Sequence, residues 1–423
     1  MASCADAALR TQDEALAELP RHLARRTLIQ RLFLADGSLS ADTLVDFGIL
    51  EVHAVNRGPR IAGAPQPPSP PPPSRRLSAI LAHEQRAASS ISDSEAAHAT
   101  APAALAALRT ALALQPDNAR AYHALGNALL PRRGDYSRRK PLCELALAAF
   151  SQAASMAPNC SLLHMKAGTV AMRARLRSEA EVAQAFASAV EADSASRAAS
   201  QHLITALQWA GDVKRAGAEV QRAQRDGFWP HAQQRPAKFT PGLTAKPFWN
   251  VQAVAPRLCT ILRAASEDLA ADLETLRSGE SGGGCATQDE GLHASNTSWE
   301  VCDVLRRCER DDPRVRRTCV ALLRWEAEHA RLLLSAQFSL LGGGGHIRPH
   351  VGSTNRRIVV HYTLANDGVE RGGAAIRVGT RWRRFVGGRC LAFDDSWEHE
   401  VVHPAREPRA NLVLQIAHPE LTL

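Results

Sequence analysis

Two histidines near the C-terminal end of the chain, His350 and His399, stand 49 residues apart, and Arg409 follows ten residues after the second. Each histidine lies on a segment that reads as strand-like. Neutral imidazoles on two strands of a barrel suit a first-row metal, and a site with only two protein ligands leaves several positions open for small molecules. The usual iron site of this type adds a carboxylate two residues after the first histidine. Here that position is Gly352. A lone histidine is most often a structural residue; the pair, set in the words Gly-His-Ile-Arg-Pro-His-Val-Gly and Phe-Asp-Asp-Ser-Trp-Glu-His-Glu-Val, reads instead as a metal centre.

The elements that must hold such a centre are short strands. From Phe338 onward, residues 356–364, 374–378, 383–385, 390–393 and 411–416 are rich in β-branched or aromatic residues and are separated by turn residues, which predicts an all-β barrel or jelly roll. Residues 251–277 read as a helix, 278–284 as a glycine-rich loop and 301–336 as a further helical stretch. Prolines and aromatics between Gly227 and Trp249 make an ordered connector. Upstream, residues 77–225 are alanine-rich and helical and carry a repeat. Ala104, Leu108, Ala111 and Pro116 follow the second-helix pattern of a tetratricopeptide unit; Tyr122, Leu125 and Gly126 open the next, and Ala146, Phe150, Ala153 and Pro158 close it. Ala167-Gly168 reopen the pattern, with Phe186 and Ala189 continuing it. Small residues let paired helices approach, and stacking buries a shared face. Gly126 and Gly168 are 42 residues apart, so residues 132–139 read as an insertion. Seven of the ten residues 65–74 are proline, so the stretch must be extended, as a stiff linker or an SH3-type ligand. The fold class is α+β multidomain, in which a tetratricopeptide-like helical region is followed by a double-stranded β-helix (jelly-roll) domain. Its segments are 1–76 (N-terminal, with the proline-rich linker), 77–226 (helical repeats) and 227–423 (β-domain).

With 423 residues, 45% of them hydrophobic, the chain can bury more than one core. A net charge of +8 favours acidic partners, but the basic residues are scattered with no lysine-rich stripe among aromatics, which argues against nucleic acid. No run of about 18 apolar residues occurs, so no transmembrane segment is expected. Residues 1–26 lack the apolar core of a signal peptide, and the sequence as it stands points to the cytoplasm. Nine cysteines, an odd number without regular spacing, do not read as a disulfide framework or a zinc site, and most read as small buried hydrophobes. Cys308 and Cys319, bracketing a short charged loop, are the one plausible pair. Asn159-Cys160-Ser161 and Asn296-Thr297-Ser298 match the glycosylation sequon, which matters only in a secreted chain.

The two histidine words, with Ile376-Arg377-Val378, His418-Pro419-Glu420-Leu421 and the upstream Gln-Arg-Pro, Pro-Gly-Leu and Lys-Pro-Phe-Trp, resemble the aspartyl/asparaginyl β-hydroxylase family from about Gly227 to the C-terminus. That family also carries tetratricopeptide repeats ahead of its oxygenase domain. The resemblance implies an Fe(II) centre held only by His350 and His399, with 2-oxoglutarate and O2 as cosubstrates and ascorbate in support. It implies that Arg409 and Ser339 hold the distal carboxylate of 2-oxoglutarate, with His361 beside its other end. A guanidinium is the natural bidentate partner of that carboxylate. The activity implied is hydroxylation of an Asp or Asn β-carbon in a protein substrate, EGF-like domains in the family, with 2-oxoglutarate decarboxylated to succinate. The helical repeats would bind the polypeptide; the oligomeric state stays open.

One departure stands out. The family arginine two residues before His361 is Val359 here. Arg357, on the same strand face, and Arg377 are the candidates to compensate. Cys319 falls at the position of a family cysteine in a disulfide, with Cys308 as its partner from a longer loop. The family's animal members sit in the endoplasmic reticulum, against the cytoplasmic expectation. Val359 leaves a catalytically impaired, repeat-containing scaffold as an alternative, and a hydroxylase of a non-peptide substrate, as in a relative of the same fold, is another.

Overall fold

The computed structural model describes residues 45, 102–130, 136, 139–278, 285–288, 291–293, 297–329, 332–364 and 373–421. The proline-rich segment 65–74, most of the 132–139 insertion, the 279–284 loop and Asn296 lie outside them. The chain divides into two compact units, Met1–Gly211 and Asp212–Leu423.

In the first unit the helices are α1 (Pro102–Leu114), α2 (Ala119–Leu129), α3 (Lys140–Met156), α4 (Ser161–Arg173), α5 (Glu179–Ala192) and α6 (Arg197–Trp209), each packed on the next in sequence. Their starts follow from local chemistry. The Asn118 side chain accepts from the Ala121 N–H at 2.9 Å, and Ser178 with Glu181 forms a capping box ahead of α5. Alanine dominates the buried faces, so helix axes approach closely, and at two places only glycine fits. A Cβ on Gly126 would lie 2.6 Å from the Phe150 ring, and one on Gly168 would lie 2.8 Å from the Phe186 ring. The same glycine-on-phenylalanine contact therefore recurs in two successive helix pairs.

The second unit opens with α7 (Val213–Arg225) and reaches β1 (Phe248–Trp249) through a connector whose Trp229 indole donates to the Pro236 carbonyl at 2.8 Å. The expected single helix over 251–277 is broken into α8 (Val251–Val254), α9 (Leu258–Ala264) and α10 (Ser266–Ser278). Pro256 has no N–H to continue the first turn, and Arg257 sits at φ +60°. The helical reading of 301–336 is also corrected. Only α11 (Leu305–Cys308) and α12 (Arg316–Glu326) are α-helical there, and the stretch is bounded by β3 (Trp299–Asp303) and β4 (Leu333–Leu341). Pairing of β3 with β4 over five residues outweighs the local pattern.

With β2 (Ala286–Thr287), β5 (Gly345–His350), β6 (Arg357–Thr363), β7 (Ala375–Val378), β8 (Arg381–Arg384), β9 (Cys390–Phe393), β10 (His399–His403) and β11 (Arg409–Ala417), the strands form two antiparallel sheets. The larger runs β1-β9-β6-β11-β4-β3-β2 and the smaller β5-β10-β7-β8. From β4 to β11 the chain passes back and forth between the sheets, with β7 and β8 forming a hairpin in the smaller one, in the winding of a jelly roll, the fold expected from the sequence. Period-two alternation divides the core. Phe338, Leu340, Val360, Tyr362, Leu412 and Leu414 face the helices, while Val359, Ile376, Val378, Phe393, Val401 and Val413 fill the space between the sheets.

The cysteines correct the sequence reading. Six of the nine form three disulfides, Cys259–Cys390, Cys285–Cys302 and Cys308–Cys319, all in the second unit; Cys143 and Cys160 in the first are buried thiols. Spacing gave no sign of two of these pairs because the cysteines meet only through folding: Cys390 on β9 reaches Cys259 on α9 across 131 residues. Among the described residues no helix is long and apolar enough to cross a membrane.

Candidate active site

His350 ends β5 and His399 begins β10, and the two residues are register partners across the smaller sheet. Their ring centroids lie 4.1 Å apart. His350 Nδ1 is 2.7 Å from the Arg348 carbonyl and His399 Nδ1 is 2.8 Å from the Trp397 carbonyl. A carbonyl only accepts, so in each neutral ring the proton sits on Nδ1 and the lone pair on Nε2. This carbonyl-oriented arrangement is the usual support of a metal-ligating imidazole. Burial pushes His399 down to about 4, which keeps the ring neutral. Among the described residues no third His, Cys, Asp or Glu joins the pair in a metal-holding group.

Gly352 has no room for the carboxylate that other sites place there. Its N–H donates to the Asp395 carbonyl at 2.6 Å, and a Cβ built on it would run into the Asp395 carboxylate. That carboxylate is held by Arg357, with Nη2 2.6 Å and Nε 3.2 Å from Oδ2, while Arg357 Nη1 donates to Gln415 at 3.1 Å. The donor set therefore fits a first-row metal held by two imidazoles, and a third ligand from residue 352 is sterically excluded.

A second strap steadies the His399 segment. Arg235 donates to the Glu398 carboxylate at 2.7 Å with both side chains buried, and the Glu398 N–H donates to the Gln233 carbonyl at 2.6 Å. Gln234 donates to Asp394 at 3.1 Å and to Ser396 at 3.0 Å. Burial raises the Asp394 carboxyl to about 7, opposed by the hydrogen bonds it accepts from Ser396 and Gln234.

The third component is a buried cation. Arg409, at the start of β11, is 1% exposed, its guanidinium lies 4.1 Å from the Phe385 ring centroid, and its Nε and Nη1 have no hydrogen-bond partner among the described residues. Burial pushes its pKa down to about 9. An uncompensated guanidinium in the interior is costly, and the arrangement calls for an anion. Around it, Ser339 accepts from the Trp299 indole at 3.0 Å, and Asn411, the register partner of Ser339, donates to His361 Nδ1 at 3.0 Å. His361 stacks on Phe385 at 5.6 Å, and burial, with the charge of Arg409 beside it, holds it down to about 3. These residues fit a carboxylate bound at Arg409.

The structure thus brings His350 and His399 together and gathers Ser339, His361 and Arg409 on strands facing the same interior. Val359 is buried in the apolar cluster with Phe393 and Val413. Neither candidate replacement for the missing arginine is free: Arg357 is committed to Asp395. Arg377, on the face opposite Ile376 and Val378, pairs with Glu398 at 3.0 Å and with Glu400. Sequence reasoning missed Trp299, Phe385, Asn411 and Asp395. Of these only Asp395 lay in a quoted motif, and its neighbour Gly352 was the available signal.

Fold and site together define a jelly-roll domain with a two-histidine centre beside a buried arginine. The family model for aspartyl/asparaginyl β-hydroxylase matches residues 263–419. The aspartyl/asparaginyl β-hydroxylases of Mus musculus and Homo sapiens are each 25% identical to the chain over 224 residues, 52% of its length. The matched region spans only 30% and 29% of those relatives. Solved structures with similarity include a Pseudomonas putida prolyl-4-hydroxylase, 15% identical over 40% of this chain and 99% of that one, with a TM-score of 0.27. A Trichoplax adhaerens prolyl hydroxylase is 12% identical over 40% and 90%, with a TM-score of 0.29.

Proposed function

We propose that this chain is an Fe(II)- and 2-oxoglutarate-dependent dioxygenase that hydroxylates the β-carbon of Asp or Asn in a protein substrate, EGF-like domains being the class suggested by the family. The observation that carries the reading is the pairing of two carbonyl-oriented histidines with the unpartnered, buried Arg409 in one barrel. His350 and His399 would hold the iron through Nε2. Arg409 would take the distal carboxylate of 2-oxoglutarate, with Ser339 as a hydroxyl partner and the neutral His361 near the other end. When bound, the iron supplies oxidative chemistry that couples loss of CO2 from 2-oxoglutarate to hydroxylation of an unactivated carbon. The protein's own work is placement. Phe385, Phe393 and Val413 keep the interior dry, and the Arg357–Asp395 and Arg235–Glu398 pairs fix the segments that bear the histidines.

The helical unit is read as tetratricopeptide-like repeats that present the polypeptide, supported by the recurring Gly126–Phe150 and Gly168–Phe186 contacts. The domain limits proposed are 77–226 for the repeats and 227–423 for the oxygenase. Three disulfides favour an oxidising compartment over the cytoplasm. Succinate formation from 2-oxoglutarate by the purified chain with Fe(II), ascorbate and O2, abolished in His399→Ala, is the expected result. A specific observation favours a second reading. Val359 leaves the interior beside His361 without the family cation, and Arg357 and Arg377 are both engaged. Absence of turnover with any 2-keto acid would leave a peptide-binding scaffold as the function.

A further inference from the structure

The smaller sheet ends, among the described residues, at β8, whose sequence is Arg381-Trp382-Arg383-Arg384. All four side chains are exposed, and Trp382 is 51% exposed. Its pairing with β7 fixes where each residue points. Arg381 and Arg383 oppose Val378 and Ile376, which are buried between the sheets, so they lie on the interior side of the strand; Trp382 and Arg384 lie on the outer side. Arg383 is accounted for, because its guanidinium covers the Phe248 ring at 4.3 Å. Among the described residues Arg381 and Arg384 make no ion pair or side-chain hydrogen bond.

The register ties this edge to the histidines. His350 opposes His399, His399 opposes Val378, and Val378 opposes Arg381, so the four residues form one row across the sheet. With strands roughly 4.8 Å apart, Arg381 stands about 10 Å from His399. A solubilising edge needs charge, but it does not need an exposed tryptophan between arginines. An open edge offers backbone donors and acceptors to an added strand, an aromatic offers area at small entropic cost, and arginines select carboxylates.

We infer that β8 is a docking strand for an acidic, extended segment of the polypeptide substrate, added beside Arg381–Arg384 and leading to the histidine pair. This rests on the proposed protein-hydroxylase function and specifies its substrate. A strand added to β8 lies one further spacing out, about 15 Å from His399, a span of about four to five extended residues. The acidic cluster therefore sits about four to five residues from the Asp or Asn that is modified.

The test is fluorescence anisotropy of the full chain with a fluorescein-labelled peptide containing consecutive glutamates, its glutamine counterpart and a single-stranded RNA of similar length. The glutamate peptide binds at least about tenfold more tightly than the glutamine one, and its affinity falls with added salt. The double variant Arg381→Glu/Arg384→Glu weakens it at least about tenfold, Arg381→Gln/Arg384→Gln weakens it less, and Trp382→Ala weakens it without changing the salt slope. Melting temperatures equal to the parent's show that the variants fold; should the glutamate pair misfold, the glutamine pair decides. Unchanged glutamate-peptide affinity in the folded variants overturns the proposal, as does tighter RNA binding that the charge reversal removes. Binding needs neither iron nor 2-oxoglutarate. Docking with this pattern but no succinate formation would overturn the catalytic reading and leave the acidic-peptide site standing.

Discussion

The carboxylate of Asp395, clamped by Arg357 at 2.6 Å, fills the space into which any side chain at residue 352 would project. The two-histidine site is thus enforced by packing as well as by the lack of a ligand at Gly352. Gly352→Asp is accordingly expected to fail as a way of building a third ligand. The new side chain meets a held carboxylate, like charge against like, and should cost about 1–3 kcal/mol in stability. Thermal unfolding together with Fe(II) titration checks this: tighter Fe(II) binding with an unchanged melting temperature would contradict it. Arg357→Met, which leaves Asp395 largely buried without its partner, should destabilise by about 3 kcal/mol.

Arg409 separates binding from stability. Its guanidinium is buried with two donors unpaired, so Arg409→Met removes an uncompensated charge and should leave the ligand-free protein as stable as the parent or stabilise it by about 1–3 kcal/mol. The same change should weaken 2-oxoglutarate binding about a hundredfold, the loss of a charge-assisted bidentate contact. Differential scanning fluorimetry with and without 2-oxoglutarate reads both effects. A parent protein that gains no melting temperature from 2-oxoglutarate would remove the assigned role of Arg409.

What the sequence made legible was local or motif-borne. His361 lies on a strand whose alternation could be read, the histidine words, Ser339 and Arg409 came from the family resemblance, and the small-residue periodicity of α2 to α5 marked the helix pairs. Pro256 inside residues 251–277 is the local signal for the helix break, since it has no N–H to continue the turn. Trp299 over Ser339, Phe385 between His361 and Arg409, and Asp395 against Gly352 depend on partners 24 or more residues away. No local pattern encodes such contacts. The disulfides were missed for the same reason, since a pairing is set by which strands and helices meet and not by cysteine spacing.

Those disulfides carry a stability prediction. Closing a loop of 131 residues through Cys259–Cys390 restrains the unfolded chain by about 5 kcal/mol in the chain-entropy model, and the 11-residue loop of Cys308–Cys319 by about 3 kcal/mol. Cys390→Ala, made with Cys259→Ala, should therefore lower the melting temperature of the β-domain more than removal of the Cys308–Cys319 pair. Mass spectrometry after alkylation in denaturant without reductant should find Cys143 and Cys160 modified and the six paired cysteines unmodified. Alkylation of all eight before reduction would contradict the pairing.

The helical unit should weaken in mild acid because burial holds two of its histidines, His123 and His202, down to about 4. His123 is 4% exposed, its Nδ1 has no hydrogen-bond partner among the described residues, and its Nε2 lies 3.1 Å from the Asn127 amide. Burial, with Lys166 and Arg120 nearby, pushes it down to about 4 from an ordinary value of 6.5. The unfolded chain then takes up a proton as pH falls through 6.5, while the folded chain resists until about 4. This contribution to stability is fully present above pH 6.5 and is lost between 6.5 and 4, at about 1.4 kcal/mol per pH unit at most. Urea unfolding followed by far-ultraviolet circular dichroism, which weights the helices, should show the midpoint falling across that window. His123→Leu should reduce the slope and leave the share carried by His202, and an equal slope in the variant would assign the acid sensitivity to other groups.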